Sequence, residues 1–523
     1  MRPNRGLPSD TTLGKWDALP RKEHLSGAKR GASRKARPAS AERAEFAPAG
    51  GGYVSDVAYV RTFMKQLAPA WLDHVALLHG FAPPERKDGF AWCELGCGQG
   101  VTPVFLAAAH PRGRFFGIDL MSQHIDHARR LASEAGLANV TFHAADFGAA
   151  RSLDLPKFDY IVAHGVYAWI DAEAQKALLR FIDQRLAPGG LIYLSYNAMP
   201  GWARDLALRE VLLAFGRAAP GDSVARVESA LAVARDLLGA GARALVASSA
   251  KLFASRDKHY LAHEFMPADA RPLFVTEMRA ATAAIGLVPV GSARLIDNYD
   301  RFVLRAAARK ALERIGDENL RELARDCCLD TGFRADVFAR SAGRTDEAER
   351  TRRLFDSVFM LRRPPAAIPF QAETPGGTLK FDNDAARRIV AELAGGPKRL
   401  ADIRRESVSR RDLLANALTL SAADELWPVA PLQAPPLELI EAIYRRLDGP
   451  DEILFLPLSN GAALPAPRGL IQGLRDGRPL DDYPGWQAYL DAVAFAKGSP
   501  GTRPGLANSR TAGSRSRRLR PRK

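Results

Sequence analysis

Only four cysteines occur in 523 residues, too few for a disulfide framework. Cys327 and Cys328 are neighbours that a normal bridge would strain. A reduced, cytoplasmic setting is therefore expected. No stretch approaches the roughly 18 consecutive apolar residues of a membrane span. The opening MRPNRGLPSDTTLGKWD lacks the apolar core of a signal peptide. No membrane insertion is expected. The ten histidines and four cysteines form no cluster with metal-ligand spacing. His263-Glu264, in HEFMPA, lacks the second histidine of H-E-x-x-H, which argues against a zinc protease. No metal is expected.

Acidic residues are scarce at both ends. Residues 1–47 hold 11 Lys/Arg against 5 Asp/Glu, and residues 501–523 hold 8 Lys/Arg and no acid. The net charge of +15 thus lies almost wholly in the tails and leaves the body near +1. The stretches 1–47 and 496–523 read as disordered basic tails, rich in Ala, Ser, Pro and Gly. Solvated tails are the main reading, and loose contact with nucleic acid the alternative. Hydrophobic residues make up 47% of the chain, so the body is globular and has length for two to four domains.

Within the body, short apolar runs alternate with amphipathic stretches. Residues 55–67 read as a helix, and a second helix follows from Pro69 to Gly80. AWCEL (91–95), RFFGIDL (114–120), VTFHAADF (140–147), FDYIVAHG (158–165) and LIYLSYN (191–197) read as strands, with helices of 10–15 residues among the stretches between them. That alternation implies an α/β fold, a parallel sheet with helices on both faces. Residues 202–254 read as almost purely helical, an insertion after strand five. A strand follows near Leu287–Ser292, and either RFVLR (301–305) or FRADVFA (333–339) supplies another, for seven in all. The expected organisation is a Rossmann-like, mostly parallel domain over 48–341, with the helical insertion and regulatory region at 202–300. A linker at 342–369, containing RRPPAAIP, and a helix-rich C-terminal domain at 370–495 complete it.

Ligands of such sheets sit off the carboxyl ends of the strands. There the sequence reads ELGCGQG (94–100), with Gly96, Gly98 and Gly100 between strand and helix. A dinucleotide turn would follow G-x-G-x-x-G, but Val101 occupies its last position. Glu94, two residues ahead of the first glycine, is unhelpful to a pyrophosphate and suits an ammonium group. Asp119, nineteen residues past Gly100, ends the second strand, where an acid can accept both hydroxyls of a ribose. Capping the following helix is its alternative role. Asp146 ends the third strand next to Phe147, an acceptor beside a ring, which suits an adenine. A ribose, an adenine, an amino-acid end and no phosphate describe S-adenosylmethionine.

ELGCGQG, GIDL and AADF resemble the first three motifs of class I S-adenosylmethionine-dependent methyltransferases. GYVSDVAYVRTFMKQLAPAWL, AHGVYAWI, LSYNAMPGW, YLAHEFMPADARPLFVTEM and FRADVF extend the resemblance to bacterial methyltransferases with a methyltransferase regulatory domain. The rickettsial protein-lysine methyltransferases belong to that group. The resemblance covers roughly residues 50–340 well, the C-terminal region loosely and the tails not at all. It implies a cofactor site lined by Tyr59, Glu94, Gly96, Gly98, Gly100, Asp119, Leu120, Asp146 and Phe147.

The loops after strands four and five should face the methyl acceptor. They offer His164, Tyr167 and Trp169, then Tyr196 and Asn197, with Trp202 beyond. Aromatic rings and an amide around a narrow opening suit an amine; ordinary packing is the alternative for the rings. A lysine must lose its proton first, which costs about 4–5 kcal/mol at pH 7, and desolvation beside aromatic faces can supply part of that. The Asn/Asp-Pro-Pro-Tyr/Phe motif common in enzymes acting on amide or nucleobase nitrogens is replaced here by AHGVYAW, which disfavours a nucleobase. The expected activity is methylation of a protein lysine. A small-molecule or other nitrogen or oxygen acceptor, and a cofactor-binding module without catalysis, are the alternatives. The inserted helices and C-terminal region are expected to build the acceptor site and a homodimer contact.

Overall fold

The computed structural model describes residues 54, 56–57, 59–86, 89–242, 257–434 and 436–493. The expectations for the tails, and for residues 243–256 of the insertion, lie outside the described residues. Seven strands form one sheet: β1 (Phe90–Leu95), β2 (Gly113–Asp119), β3 (Val140–Ala144), β4 (Phe158–Ala163), β5 (Leu186–Asn197), β6 (Leu287–Ser292) and β7 (Phe333–Arg340). Their order is β3-β2-β1-β4-β5-β7-β6. The first five pair in parallel, and β7 runs antiparallel between β5 and β6. The chain winds outward from β1 in both directions, so a ligand crevice opens above β1 and β4.

Helices α1 (Pro69–Leu78), α2 (Val101–Ala109) and α3 (Ser122–Glu134) contribute to the core on one face of the sheet, with Trp92, Tyr160, Val162 and Tyr193. The helices α4 (Phe147–Ala150) and α5 (Ala172–Arg185) belong to the other face, over Cys93, Ile161, Ile192 and Tyr196. Helices α6 (Ala203–Ala218) and α7 (Ser223–Gly239), with helix Lys258–Phe265, form a separate apolar cluster.

One expectation is corrected here and one open choice is decided. Of the helix expected over 55–67, only a single 3-10 turn, Lys65–Leu67, is helical among the described residues. Met64 before it is extended, and its N–H donates to Thr102 Oγ1 at 3.1 Å. RFVLR is not a strand: Asp300–Val303 is a helical turn, with the Arg301 guanidinium 4.6 Å from the Phe302 ring centre. FRADVFA forms β7 instead. Its interior is buried, and its two charged side chains, Arg334 and Asp336, pair with each other.

The stretch expected as a linker also differs. It contains helix Glu347–Asp356 and strand β8 (Val358–Leu361), after which come the hairpin β9 (Gln371–Thr374) and β10 (Gly377–Lys380). Strand β8 is the middle of a three-stranded antiparallel sheet with β11 (Lys398–Arg399) and β12 (Leu426–Val429). Phe359, Met360 and Leu361 share one continuous core with Trp71, Leu72 and Phe90 beneath the large sheet. The prolines of RRPPAAIP shape a tight 3-10 turn, Pro365–Ala367, ahead of buried Ile368.

Burial holds His74, His110, His127, His164 and His263 down to about 4. The unfolded chain takes up protons at these groups from about pH 6.5 downward, whereas the folded chain does not until about pH 4. Stability should therefore be lost as pH falls through that window, by up to about 1.4 kcal/mol per pH unit for each fully buried ring. The melting temperature should drop by several degrees between pH 6.5 and 4.5. A flat profile there would show that these rings are not buried neutral. Among the described residues, no helix is long and apolar enough to cross a membrane.

Candidate cofactor and acceptor site

Strand β1 ends at Leu95, and the glycine turn begins at once. Gly96, Gly98 and Gly100 all have positive φ, at 74°, 50° and 77°, a region costly to other residues. A Cβ on Gly96 would come within 2.4 Å of Val166 Cγ2, and one on Gly100 within 2.4 Å of Ala128 Cβ. The outer glycines therefore permit close packing. A Cβ on Gly98 would meet nothing within 4 Å among the described residues, which leaves its backbone bare. The turn is tied to β2 by Gly96 N–H and Cys97 N–H, which donate to the Ile118 carbonyl at 2.7 and 3.1 Å.

Asp119 holds the turn's centre. Its Oδ2 accepts the Gly98 N–H at 2.8 Å, and its Oδ1 accepts the Met121 N–H at 2.9 Å. Burial alone would raise its pKa; the hydrogen bond from His124 and the two N–H donors overcome this and hold the carboxyl below its usual range. Asp119 is ionised at neutral pH. It does not cap α3, whose cap position is Met121. Glu94 is 5% exposed, and its Oε2 has no hydrogen-bond partner among the described residues. Burial, and then the Asp119 charge, push its pKa well up. A cation placed beside it would relieve both effects. Leu120, at the strand end, leaves 45% of its surface exposed. Asp146 caps α4, its Oδ1 accepting the Ala149 N–H at 2.8 Å, and Phe147 is half-buried beside it.

An N-terminal strap crosses this turn. The Tyr59 carbonyl accepts from Gln99 Nε2 at 2.5 Å, and the Tyr59 N–H reaches His124 Nε2 at 3.4 Å. With Nε2 accepting, His124 Nδ1 carries the proton toward Asp119 Oδ1, 3.3 Å away. Arg61 donates to the Pro450 carbonyl at 2.8 Å and pairs with Asp451 at 2.5 Å. Lys65 pairs with Asp424 at 2.5 Å and lies 4.2 Å from the Trp427 ring centre. The strap thus ties the glycine turn to the C-terminal region. Sequence reasoning missed Gln99, His124 and Arg61, whose roles depend on contacts distant in the chain.

The ends of β4 and β5 face the same crevice. Along β5 the side chains alternate. Ile192, Leu194 and Tyr196 enter the core on the α5 side, which places Tyr193, Ser195 and Asn197 on the opposite face. His164 Nδ1 lies 2.8 Å from Tyr193 Oη and 3.2 Å from Ser195 Oγ, and Ser195 Oγ also accepts the Gly165 N–H at 2.8 Å. Asn197 Nδ2 donates to Glu264 Oε1 at 3.2 Å.

Two expected acceptor-site residues belong to the core instead. Tyr196 is fully buried, and its hydroxyl donates to Asp336 Oδ2 at 2.7 Å. Tyr167 joins the apolar cluster around Leu178 and Phe181. Trp169 is 8% exposed and lies beside Gly165. The period-two pattern of YLSYN (193–197) carried the missed signal: it separates Tyr196 from Asn197 and groups Tyr193 and Ser195 with Asn197.

These residues fit S-adenosylmethionine. There is bare backbone at Gly98, an ionised carboxylate at the end of β2, an exposed apolar side chain next to it and a buried carboxylate oxygen without a hydrogen-bond partner among the described residues. The strand order and the glycine turn after β1 define the class: an α/β methyltransferase fold with a crevice at the switch point. Comparison with known proteins agrees. A family model described as "Methyltransferase domain" matches residues 86–212, and one described as "Predicted methyltransferase regulatory domain" matches residues 257–340. An uncharacterized protein of Synechocystis is 32% identical over 364 residues, covering 69% of this chain and 72% of that one. Another, from Rickettsia prowazekii, is 34% identical over 149 residues, covering 28% and 57%. The solved structure of PKMT2 from Rickettsia typhi in complex with AdoHcy shares the fold, with a TM-score of 0.62 at 20% identity over 83% of this chain and 91% of that one. The chain belongs to the S-adenosylmethionine-dependent methyltransferases that carry a methyltransferase regulatory domain.

Proposed function

We propose that the acceptor is a lysine side chain of a protein, and that Tyr59, Glu94, the three glycines, Asp119, Leu120, Asp146 and Phe147 hold the donor. S-adenosylmethionine supplies an electrophilic methyl group on a sulfonium when bound. In this reading Gly98 lets the ligand lie on backbone, Asp119 accepts from its ribose, and Glu94 faces its positively charged end. Helices α6 and α7, helix Lys258–Phe265 and the C-terminal region then wall the acceptor side.

One observation carries the acceptor class: the cluster of His164, Tyr193 and Ser195 on β5 and after β4 is polar but uncharged. His164 is held neutral, down to about 4 by burial, against Tyr193 and Ser195. Such a desolvated lining disfavours an ammonium and favours the free amine that can attack. It excludes water without a strong base. The fold shared with PKMT2 from Rickettsia typhi and the sequence resemblance to rickettsial protein-lysine methyltransferases support the same acceptor.

Incubating the full chain with methyl-labelled donor and a cell lysate, followed by digestion and mass spectrometry, tests this. Label should appear in protein as methyllysine. Label confined to small molecules, nucleic acid or another side chain would overturn the lysine reading. Saturable donor binding with no transfer would indicate a binding module.

A further inference from the structure

We propose that Asp451, in the C-terminal region, is a positioning residue for the donor: through Arg61 it holds the strap and the glycine turn in the arrangement that receives S-adenosylmethionine. The inference rests on the donor reading above and adds to it a residue from beyond both matched segments.

Two histidines carry the assignment. His124 and His127 lie one turn apart on α3, and both are buried. Each meets a strap donor at Nε2 and turns Nδ1 toward the donor site. The Tyr59 N–H reaches His124 Nε2 at 3.4 Å, and His124 Nδ1 lies 3.3 Å from Asp119 Oδ1. The Arg61 Nε–H reaches His127 Nε2 at 3.4 Å, and His127 Nδ1 lies 3.0 Å from the Gln99 carbonyl. Burial holds His127 neutral, down to about 4. With Nε2 accepting, its ring proton is on Nδ1 and donates to that carbonyl. Gln99 stands between Gly98 and Gly100, and its side chain donates back to the Tyr59 carbonyl at 2.5 Å. A movement of the strap is therefore felt at the Asp119 carboxylate and at the backbone of the turn.

Arg61 is where the C-terminal region takes hold of the strap. Its Nη2 pairs with Asp451 Oδ1 at 2.5 Å, and its Nη1 donates to the Pro450 carbonyl at 2.8 Å. One planar guanidinium thus joins the 450–451 loop to His127, and a rigid fork fixes direction as well as distance. The loop is itself anchored to α3. It follows helix Leu437–Arg446, whose last residue pairs with Glu134 at the end of α3. Asp448 accepts from Arg468 at 3.0 Å and from Gln472 at 3.1 Å. At the strap's other end, Asp56 Oδ2 accepts the Ser223 N–H at 2.8 Å. A donor bound beneath the strap gains most when Asp451 keeps its end in place. The coupling is reciprocal, so the donor should tighten the Asp451 contact in return.

The test is calorimetric titration of the full chain with S-adenosylhomocysteine, with amide hydrogen exchange measured on the free and saturated protein. Asp451 leaves 43% of its side chain exposed, so its truncation empties no core position. Asp451→Ala and Arg61→Ala should each weaken binding about fivefold, the upper range for a partly exposed pair. The double variant should lose no more than the worse single one. Arg61→Lys keeps a charge for Asp451 but lacks the Nε–H for His127, so it should recover only part of the loss. In the wild type the ligand should slow exchange at residues 59–64 and 451–452. In Arg61→Ala the slowing at 451–452 should vanish while that at 96–100 persists. Melting temperatures of the free variants should stay close to wild type. Additive losses in the double variant, or a loss of affinity matched by a loss of melting temperature, would overturn the positioning role. If the wild type binds no ligand, or Asp119→Ala binds as well as the wild type, the donor reading itself fails. If those two behave as expected and Asp451→Ala binds as tightly as the wild type, Asp451 alone is struck.

Discussion

Asp119→Ala should weaken S-adenosylmethionine binding by more than tenfold, read by titration calorimetry. Two losses combine. The variant removes the ionised acceptor placed for the ribose hydroxyls, and a charge-assisted hydrogen bond of that kind contributes about 1.5–3 kcal/mol. It also frees the Gly98 N–H and the Met121 N–H, which Asp119 accepts at 2.8 and 2.9 Å, so the turn loses the brace that holds its left-handed backbone. Asp119→Asn separates the two. The amide oxygen can still accept from one N–H, so the turn should survive while the charge is lost. Affinity should then fall by less than in the alanine variant but clearly below wild type. Unchanged affinity in Asp119→Ala would contradict the ribose assignment.

Arg334→Ala should destabilise the fold by about 3–5 kcal/mol, the usual cost of leaving buried carboxylates without their partner. Arg334 is 8% exposed and makes ion pairs to Asp326 at 2.7 Å, Glu322 at 2.8 Å and Asp336 at 2.9 Å. Asp326 is fully buried; burial raises it to about 6 even with Arg334 in place. Without the guanidinium the three acids face one another in a low dielectric. Arg334→Lys should recover only part of the loss, because one ammonium cannot replace a fork that reaches three carboxylates. Urea denaturation checks both. The network also bears on the site: Asp336 accepts the Tyr196 hydroxyl, and Tyr196 directly precedes Asn197. A loss below 1 kcal/mol for Arg334→Ala would show the network to be solvated.

The succession of strands and helices and the glycine turn were legible in the sequence because both rest on local signals. Apolar runs of strand length alternate with helical stretches, and ELGCGQG places three glycines where only glycine tolerates the backbone. Asp119 was legible as the acid at the end of β2. What stayed hidden depends on distant contacts. Residues 59–64 read as helical by local pattern, yet Met64 bonds to Thr102, Tyr59 to Gln99 and Arg61 to Asp451. Those bonds replace the intrahelical ones. Tyr196 and Tyr167 looked like acceptor contacts by their position after strands; which face of the sheet each residue takes decided otherwise. The stretch 342–369 read as a linker because of its prolines, but the four residues of β8 before them are apolar and find partners on both sides only in β11 and β12.

The most direct measurement of the central claim is a crystal structure of the chain grown with S-adenosylhomocysteine. The account predicts the ligand across Gly98, its ribose hydroxyls within hydrogen-bond distance of Asp119 and its amino-acid end toward Glu94, beneath the Tyr59 strap. Ligand density elsewhere on the sheet, or a ribose held away from Asp119, would contradict it.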